Sequence, residues 1–230
     1  MVSFTLKNGT IVDFLHNGLI AQLAPLDQKL LLQKAQLINF NAGQILGHSN
    51  ESPSQIFFLI QGSVALFVCK KPNDIRSGLA VGLVGSEGAL GLQNALGLTA
   101  GNLTFIAQSP GRAYAVNADI AMRLVRRKSA VMLAVVRYLW SEYESLTRFA
   151  AMSHNQDVRL RLAYWLLLSA QRCAPDALVL THSQISQMLG VRRVSITLAA
   201  REMKLMGLIH YSRGHIQLKN IEALQRLADS

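Results

Sequence analysis

Thr181-His182-Ser183-Gln184-Ile185-Ser186-Gln187-Met188-Leu189-Gly190-Val191-Arg192-Arg193-Val194-Ser195-Ile196-Thr197-Leu198-Ala199-Ala200-Arg201 is the stretch from which the fold is read. Thr181 followed three residues later by Gln184 has the spacing of a capping box, in which each residue satisfies an amide of the other at a helix start. The helix this opens, His182–Leu189, is expected to stop at Gly190, where a left-handed turn suits a residue with no side chain. A second helix is expected from about Arg192 to Met206, ending at Gly207. Ile185, Leu189, Val191, Ile196 and Ala199 are apolar where two helices must touch across a tight turn, and small Ser186 sits where they approach. That is the pattern of a helix-turn-helix.

The other edge of the second helix carries Arg192, Arg193, Val194, Thr197, Leu198 and Arg201. A DNA major groove offers guanine O6 and N7 to an arginine fork and thymine methyls to Thr or Val. Ser195, at the helix start, is placed to donate to a phosphate. Leu208–Tyr211 and His215–Leu218 alternate in polarity around Ser212-Arg213-Gly214. They read as a hairpin, a wing that offers Arg213 to a backbone phosphate. Arg192, Arg193, Ser195, Thr197, Arg201 and Arg213 are therefore the candidate DNA-binding residues, with Thr181, His182 and Ser183 at the start of the first helix.

Upstream the text changes character. To about Val116 it consists of short β-rich runs (Phe57–Ile60, Val64–Val68, Ala80–Val84, Thr104–Ala107, Ala113–Val116) separated by glycine and proline turns. Many short strands with such punctuation predict an antiparallel sandwich or barrel. Asp27–Ile38 ahead of them reads as a short helix. Asn117 is a good N-cap, with Asp119 well placed against the dipole of the helix it opens. From about Ser129 to Met152 neither glycine nor proline interrupts the chain, and Met132, Val136, Leu139, Tyr143, Leu146 and Ala150 recur at heptad-type spacing. Such a seam serves either a parallel dimer helix or packing on the chain's own domain. An amphipathic helix follows from about Asn155, with Val158, Leu162, Trp165, Leu166 and Ser169 on one face, and Pro175-Asp176 breaks it. The expected domains are 1–116, 117–153 and 154–230, the fold class α+β.

Composition bounds the reading. Of 230 residues, 50% are hydrophobic and 16% charged, which excludes a disordered chain. Apolar runs such as Ile56–Ile60 and Met132–Val136 fall far short of the roughly 20 residues of a membrane span. Met1–Lys7 lacks the pattern of a secretory signal, so a cytoplasmic protein is expected. Cys69 and Cys173 form no CxxC spacing, and no metal or other cofactor is expected. The formal charge is +10. Residues 155–230, with 10 basic and 5 acidic groups, carry half of that excess, which points to a polyanionic partner. Glycines 82, 85, 88 and 91 match neither a phosphate loop nor a dinucleotide fingerprint. No Gly-x-Ser-x-Gly or His-Glu-x-x-His element occurs, and Glu87 has no evident partner for acid–base work. An enzyme is not expected.

These residues carry a family resemblance. Leu189-Gly190-Val191-Arg192-Arg193 and Gly207–Gly214 resemble the winged helix of the Crp/Fnr family of bacterial transcription regulators. Phe40–Leu46 and Ile56–Val68 resemble its cyclic-nucleotide-binding-type β-roll, the long helix its dimerisation helix, and Val81–Gly91 a branch with a Gly-x-Glu-Gly element. The resemblance implies a homodimer that binds double-stranded DNA and works with RNA polymerase, with Gly85, Glu87, Gly88, Leu90, Gly91, Asn102 and Leu103 as the effector-pocket positions. This chain departs from the cyclic-AMP-binding members. Ala89-Leu90 stands where they have Gly-Glu, and Asn102-Leu103 where they have Arg and Ser or Thr, so cyclic AMP in the usual mode would leave polar groups unpaired. Two cysteines do not supply an iron–sulfur cluster, and His48 or Cys69 would be the axial candidates for haem. In the recognition helix Arg193 matches the family's first Arg, while Val194 replaces its Glu and Leu198 its second Arg, so a different operator is expected. The alternative is a nucleotide-sensing or protein-interaction module without specific DNA binding.

Overall fold

A computed structural model describes residues 5–6, 9–49, 55–69, 78–96, 103–153, 157–173, 178–212 and 214–229. In chain order the elements are β1 (Thr5–Leu6), β2 (Gly9–Thr10), α1 (Ile11–Leu15), α2 (Gly18–Ala21), α3 (Pro25–Leu32), β3 (Ala35–Phe40), β4 (Ile45–His48), β5 (Gln55–Gln61), β6 (Val64–Val68), β7 (Leu79–Val84) and β8 (Ala89–Leu90). Then follow α4 (Leu92–Ala95), β9 (Leu103–Ala107), β10 (Gly111–Asn117), α5 (Ala118–Arg127), α6 (Ser129–Ser153), α7 (Val158–Arg172), β11 (Leu178–Val179), α8 (His182–Leu189), α9 (Arg193–Leu205), β12 (Ile209–Ser212), β13 (His215–Leu218) and α10 (Ile221–Ala228).

Two four-stranded antiparallel sheets, ordered β3-β10-β5-β8 and β4-β9-β6-β7, make the roll. Successive side chains of a strand point to opposite faces, and here both faces are covered. Phe57 and Leu59 of β5, Val64 and Leu66 of β6, and Phe105 and Ala107 of β9 belong to the cluster between the sheets. Ile56, Phe58 and Ile60 face outward, where α1–α3, α5 and the first half of α6 cover them with Phe14, Leu31, Ala121, Val135 and Tyr138. Ala65, Phe67, Ala80, Leu83 and Ile106 face the other way, into a core shared with the C-terminal helices. Burial on both faces is why these runs read as continuous β-rich apolar text rather than as alternation.

The expected helix at Asp27–Ile38 is corrected. Pro25 occupies the first turn of α3, and the helix ends at Leu32. Ala35–Phe40 instead pairs with β10 from Ala35↔Val116 to Phe40↔Gly111. Leu37 goes to the helix side of the sheet and Ile38 to the sheet–sheet core, a two-residue period that a helix cannot satisfy. Asn117 caps α5 as expected, accepting from the Asp119 amide at 2.9 Å. The uninterrupted run 129–152 is one helix, α6, of 25 residues.

α7 is the centre of the C-terminal core. Leu162, Trp165, Leu166 and Ser169 are wholly buried, and Trp165 meets Phe149 of α6 edge-on at 5.6 Å. α8, α9 and α10 pack around it, and the sheet β11-β13-β12 closes the domain. No helix among the described residues is long and apolar enough to cross a membrane.

Candidate nucleic-acid interface

The turn between α8 and α9 is built from its caps inward. Gln184 donates its amide to the Thr181 hydroxyl at 3.2 Å, and its side-chain oxygen accepts the Thr181 amide at 2.9 Å. Gly190, at φ +62°, ends α8 in the left-handed region. The Val191 amide then bonds the Ser186 carbonyl at 3.0 Å, and the Arg161 guanidinium on α7 donates to the Leu189 carbonyl. Ile185, Leu189, Ile196, Ala199, Ala200 and Met203 are buried, at 5% exposure or less. They fix α9 by one edge.

The opposite edge of α9 is open. Arg192, Arg193, Thr197 and Arg201 are exposed, with Val194 at 68% and Leu198 at 55%. Ser195 is half-buried and donates its amide to the Arg192 carbonyl at 3.0 Å. Arg192 is the N-cap and provides no side-chain cap bond, so the helix's first amides and its positive dipole end face outward for an anion. Arg192, Arg193 and Arg201 form no salt bridge among the described residues. Glu202, the neighbouring acid, is turned back to Arg159 on α7 at 3.2 Å. The result is a narrow edge of guanidinium and aliphatic groups held on a rigid helix.

His182 and Thr197 have more to do than sequence spacing showed. Thr197 donates its hydroxyl to the Arg193 carbonyl at 3.1 Å and lies 3.1 Å from His182 Nδ1. With its proton committed, Thr197 accepts, so Nδ1 carries the imidazole hydrogen. The ring stacks on Tyr211 of the wing, with centroids 4.1 Å apart. Burial and the nearby Arg193 push the His182 pKa down, so the ring is neutral near pH 7. Thr181 and Ser183 are exposed beside it. Arg213 lies outside the described residues; the wing that carries it is present as β12 and β13, paired from Ile209↔Leu218 to Ser212↔His215.

The effector-pocket positions sit at a junction. The Glu87 carboxylate accepts the Gly85 amide at 2.8 Å and pairs with Arg172 at the end of α7. Arg172 also holds Glu142 of α6 at 2.9 Å. Glu87, alone in its own stretch of sequence, thus has an ion-pair partner that is remote in sequence and supplied by the fold. A side-chain carbon on Gly85 would overlap the Arg172 backbone, and one on Gly88 the Tyr138 ring. These glycines let α7 and α6 approach the roll. Leu90 and Gly91 are buried and Leu103 is half-buried; Asn102 lies outside the described residues. His48 bonds Thr104 at 3.0 Å, and Cys69 is buried in the shared core. No cluster of three metal-ligating side chains occurs among the described residues.

The seam of α6 divides. Met132, Val136, Tyr143 and Leu146 are 36–56% exposed, and Ala150 is exposed as well. Leu139 is half-buried against the roll's helices. The face that covers the roll is Val131, Ala134, Val135 and Tyr138. Leu133 and Trp140, at 48% and 61%, extend the bare stripe; their seven-residue spacing, one step off the chosen seam, was the available signal.

Residues 160–227 match the family model of the Crp-like helix-turn-helix domain. A Crp/Fnr-family transcriptional regulator from Thermus thermophilus shares the fold at a TM-score of 0.67 and 19% identity, over 85% of this chain and 99% of that one. A CooA variant from Carboxydothermus hydrogenoformans aligns at 0.63 and 17%, over 97% and 98%. The c-di-GMP-responsive global regulator CLP of Xanthomonas campestris aligns at 0.65 and 14%, over 84% and 97%. No curated protein matches the chain. Residues 160–227 thus match a Crp-like helix-turn-helix domain, and the chain as a whole shares the fold of these structures.

Proposed function

We propose that this chain is a Crp/Fnr-type DNA-binding transcriptional regulator, acting as a homodimer that inserts the Arg192–Arg201 edge of each α9 into successive major grooves of a near-palindromic site. The observation that carries the reading is the division of α9: Ile196, Ala199 and Met203 buried on one edge, Arg192, Arg193, Thr197 and Arg201 exposed on the other. Arg192 and Arg193 are the first base contacts, Ser195, Thr181 and Ser183 face phosphate, and Arg201 reaches base or phosphate. Thr197 presents its methyl, since its hydroxyl is engaged, and Arg213 belongs to the wing. Two helices of a dimer read half-sites about 34 Å apart. The exposed stripe from Met132 to Ala150 supports α6 as the dimer helix.

The roll biases the angle of the readers through α6, with or without an effector bound near Gly85–Gly91. Cyclic AMP in the usual mode is not that effector, since the positions of its ligands hold Ala89, Leu90, Asn102 and Leu103. RNA polymerase is the further partner and the cytoplasm the site of action. Selection of genomic fragments on the purified protein, followed by gel retardation, tests the reading. Arg192→Ala with Arg193→Ala should remove site-specific retardation, at a cost of about 1–3 kcal/mol per bidentate base contact, and leave the dimer intact. Unchanged retardation would refute the assignment.

A further inference from the structure

Between α3 and α5 the surface opens into a groove of about 330 Å³, at the small end of the roughly 300–1,000 Å³ typical of ligand sites. Its floor is apolar, formed by Leu30, Ile120 and Leu124, and Leu30 is 46% exposed. Its rim is cationic: Lys34, Arg123, Arg127 and Lys128. The acid beside them, Asp27, is buried and lies 3.8 Å from Lys128. Lys34, Arg123 and Arg127 form no salt bridge among the described residues. Cations in the last turn of α5 offset its dipole, which accounts for Arg127 and Lys128. It does not account for Arg123, a turn earlier, or for exposed Leu30 beside half-buried Ile120 and Leu124 beneath the charges.

Accessible hydrocarbon flanked by the unpaired charges of Lys34, Arg123 and Arg127 selects a ligand with an apolar body and one anionic head. We propose that this groove binds a medium-chain amphiphilic carboxylate, its hydrocarbon on Leu30, Ile120 and Leu124 and its head between Arg123 and Arg127. A second copy of the chain is the poorer occupant. It would bring the same four cations within the roughly 8 Å screening distance. The site shares no residue with Gly85–Gly91 or with α9. Its occupant lies at the head of the long helix, because α5 runs through Lys128 into α6, with the Met132 amide on the Lys128 carbonyl at 3.0 Å.

The test is calorimetric titration of the full chain with acetate, hexanoate, octanoate and decanoate, all below micelle formation, and with decyltrimethylammonium. One-site binding is expected for the longer carboxylates, tightening about fourfold per added methylene. Neither acetate nor the cationic amphiphile should bind. Leu30→Ser and Arg123→Glu alter exposed side chains and should each weaken decanoate about tenfold while leaving the circular dichroism unchanged. Absent binding, affinity independent of chain length, equal binding of the cationic amphiphile, or indifference to both variants would overturn the proposal. So would ultracentrifugation showing that Leu30→Ser dissociates a dimer. DNA retardation is measured apart from these titrations, so the two readings stand or fall separately.

Discussion

Replacing Arg172 by glutamine should destabilise the whole molecule. Among the described residues Arg172 is the one cation between two carboxylates, Glu87 of the roll and Glu142 of α6, and its side chain is 12% exposed. Breaking a buried pair from one side costs roughly 3–5 kcal/mol, because the remaining charge loses its partner. Glu87 keeps 32% of its side-chain exposure, so water screens part of the loss and about 3 kcal/mol is the working figure. For a chain of this size each kcal/mol lowers Tm by about 2–4 °C, which gives a fall of about 6–12 °C. Circular dichroism melts at pH 7 measure it.

Acid supplies a second arm of the same experiment. Burial outweighs Arg172 and holds the Glu142 pKa above the usual 4.5. The folded protein therefore binds this proton more tightly than the unfolded chain. The stability it contributes is complete below about pH 4.5 and is lost as pH rises through the folded value. Glu142→Gln, neutral throughout, should melt above the wild type at pH 7 and lose that advantage as the pH falls. In an Arg172→Gln background the same change should recover part of the deficit, since one of the two orphaned charges is gone. An Arg172→Gln protein melting within about 2 °C of wild type at pH 7 would refute the coupling, that shift being less than 1 kcal/mol.

Three further outcomes follow from the packing. Gly88→Ala drives a methyl into Tyr138 and should cost about 1–3 kcal/mol in urea unfolding; a wild-type midpoint would show that the contact yields. Val136→Asp with Tyr143→Asp charges the bare stripe of α6 and should give monomers by sedimentation with the monomer fold intact, whereas an unchanged sedimentation coefficient would move the dimer contact elsewhere. Asp157 caps α7 and pairs with Arg159 at 2.6 Å, and the hydrogen bonds from Arg159 lower its pKa below 3.8. Its contribution is present above that value and lost as pH falls through the depressed one. Asp157→Asn should flatten the Tm–pH curve below about pH 4, and a curve as steep as the wild type's would remove Asp157 from the acid transition.

The winged helix was legible because its signals are local. Thr181 and Gln184 are three residues apart, Gly190 and Gly207 bracket one helix, and the apolar positions of α9 recur with the helical period. The roll was legible as many short strands, but β3 was hidden within an expected helix: Leu37 and Ile38 serve opposite cores, which only the assembled sheets define. The Glu87–Arg172–Glu142 cluster could not be read at all. Its members come from a loop and two helices, each unremarkable in its own stretch, and no periodicity links them. Five of the six heptad positions of α6 lie on its open face and Leu139 alone turns inward, for a related reason. Heptad spacing locates a stripe, but the roll's packing decides that Leu139 turns inward and Trp140 outward.

The reader and the roll have no dry boundary of their own. Trp165, Leu189 and Ile196 share one interior with Phe67, Ala80 and Leu83, and Gly190, at the pivot of the helix-turn-helix, rests against Leu79. Swinging the reader away would wet hydrocarbon on both sides at once, roughly 25 cal/mol for each Å² uncovered. A rotation of the two halves that keeps this interior dry is therefore confined to a sliding contact, with Leu79 of β7 beneath the pivot at Gly190.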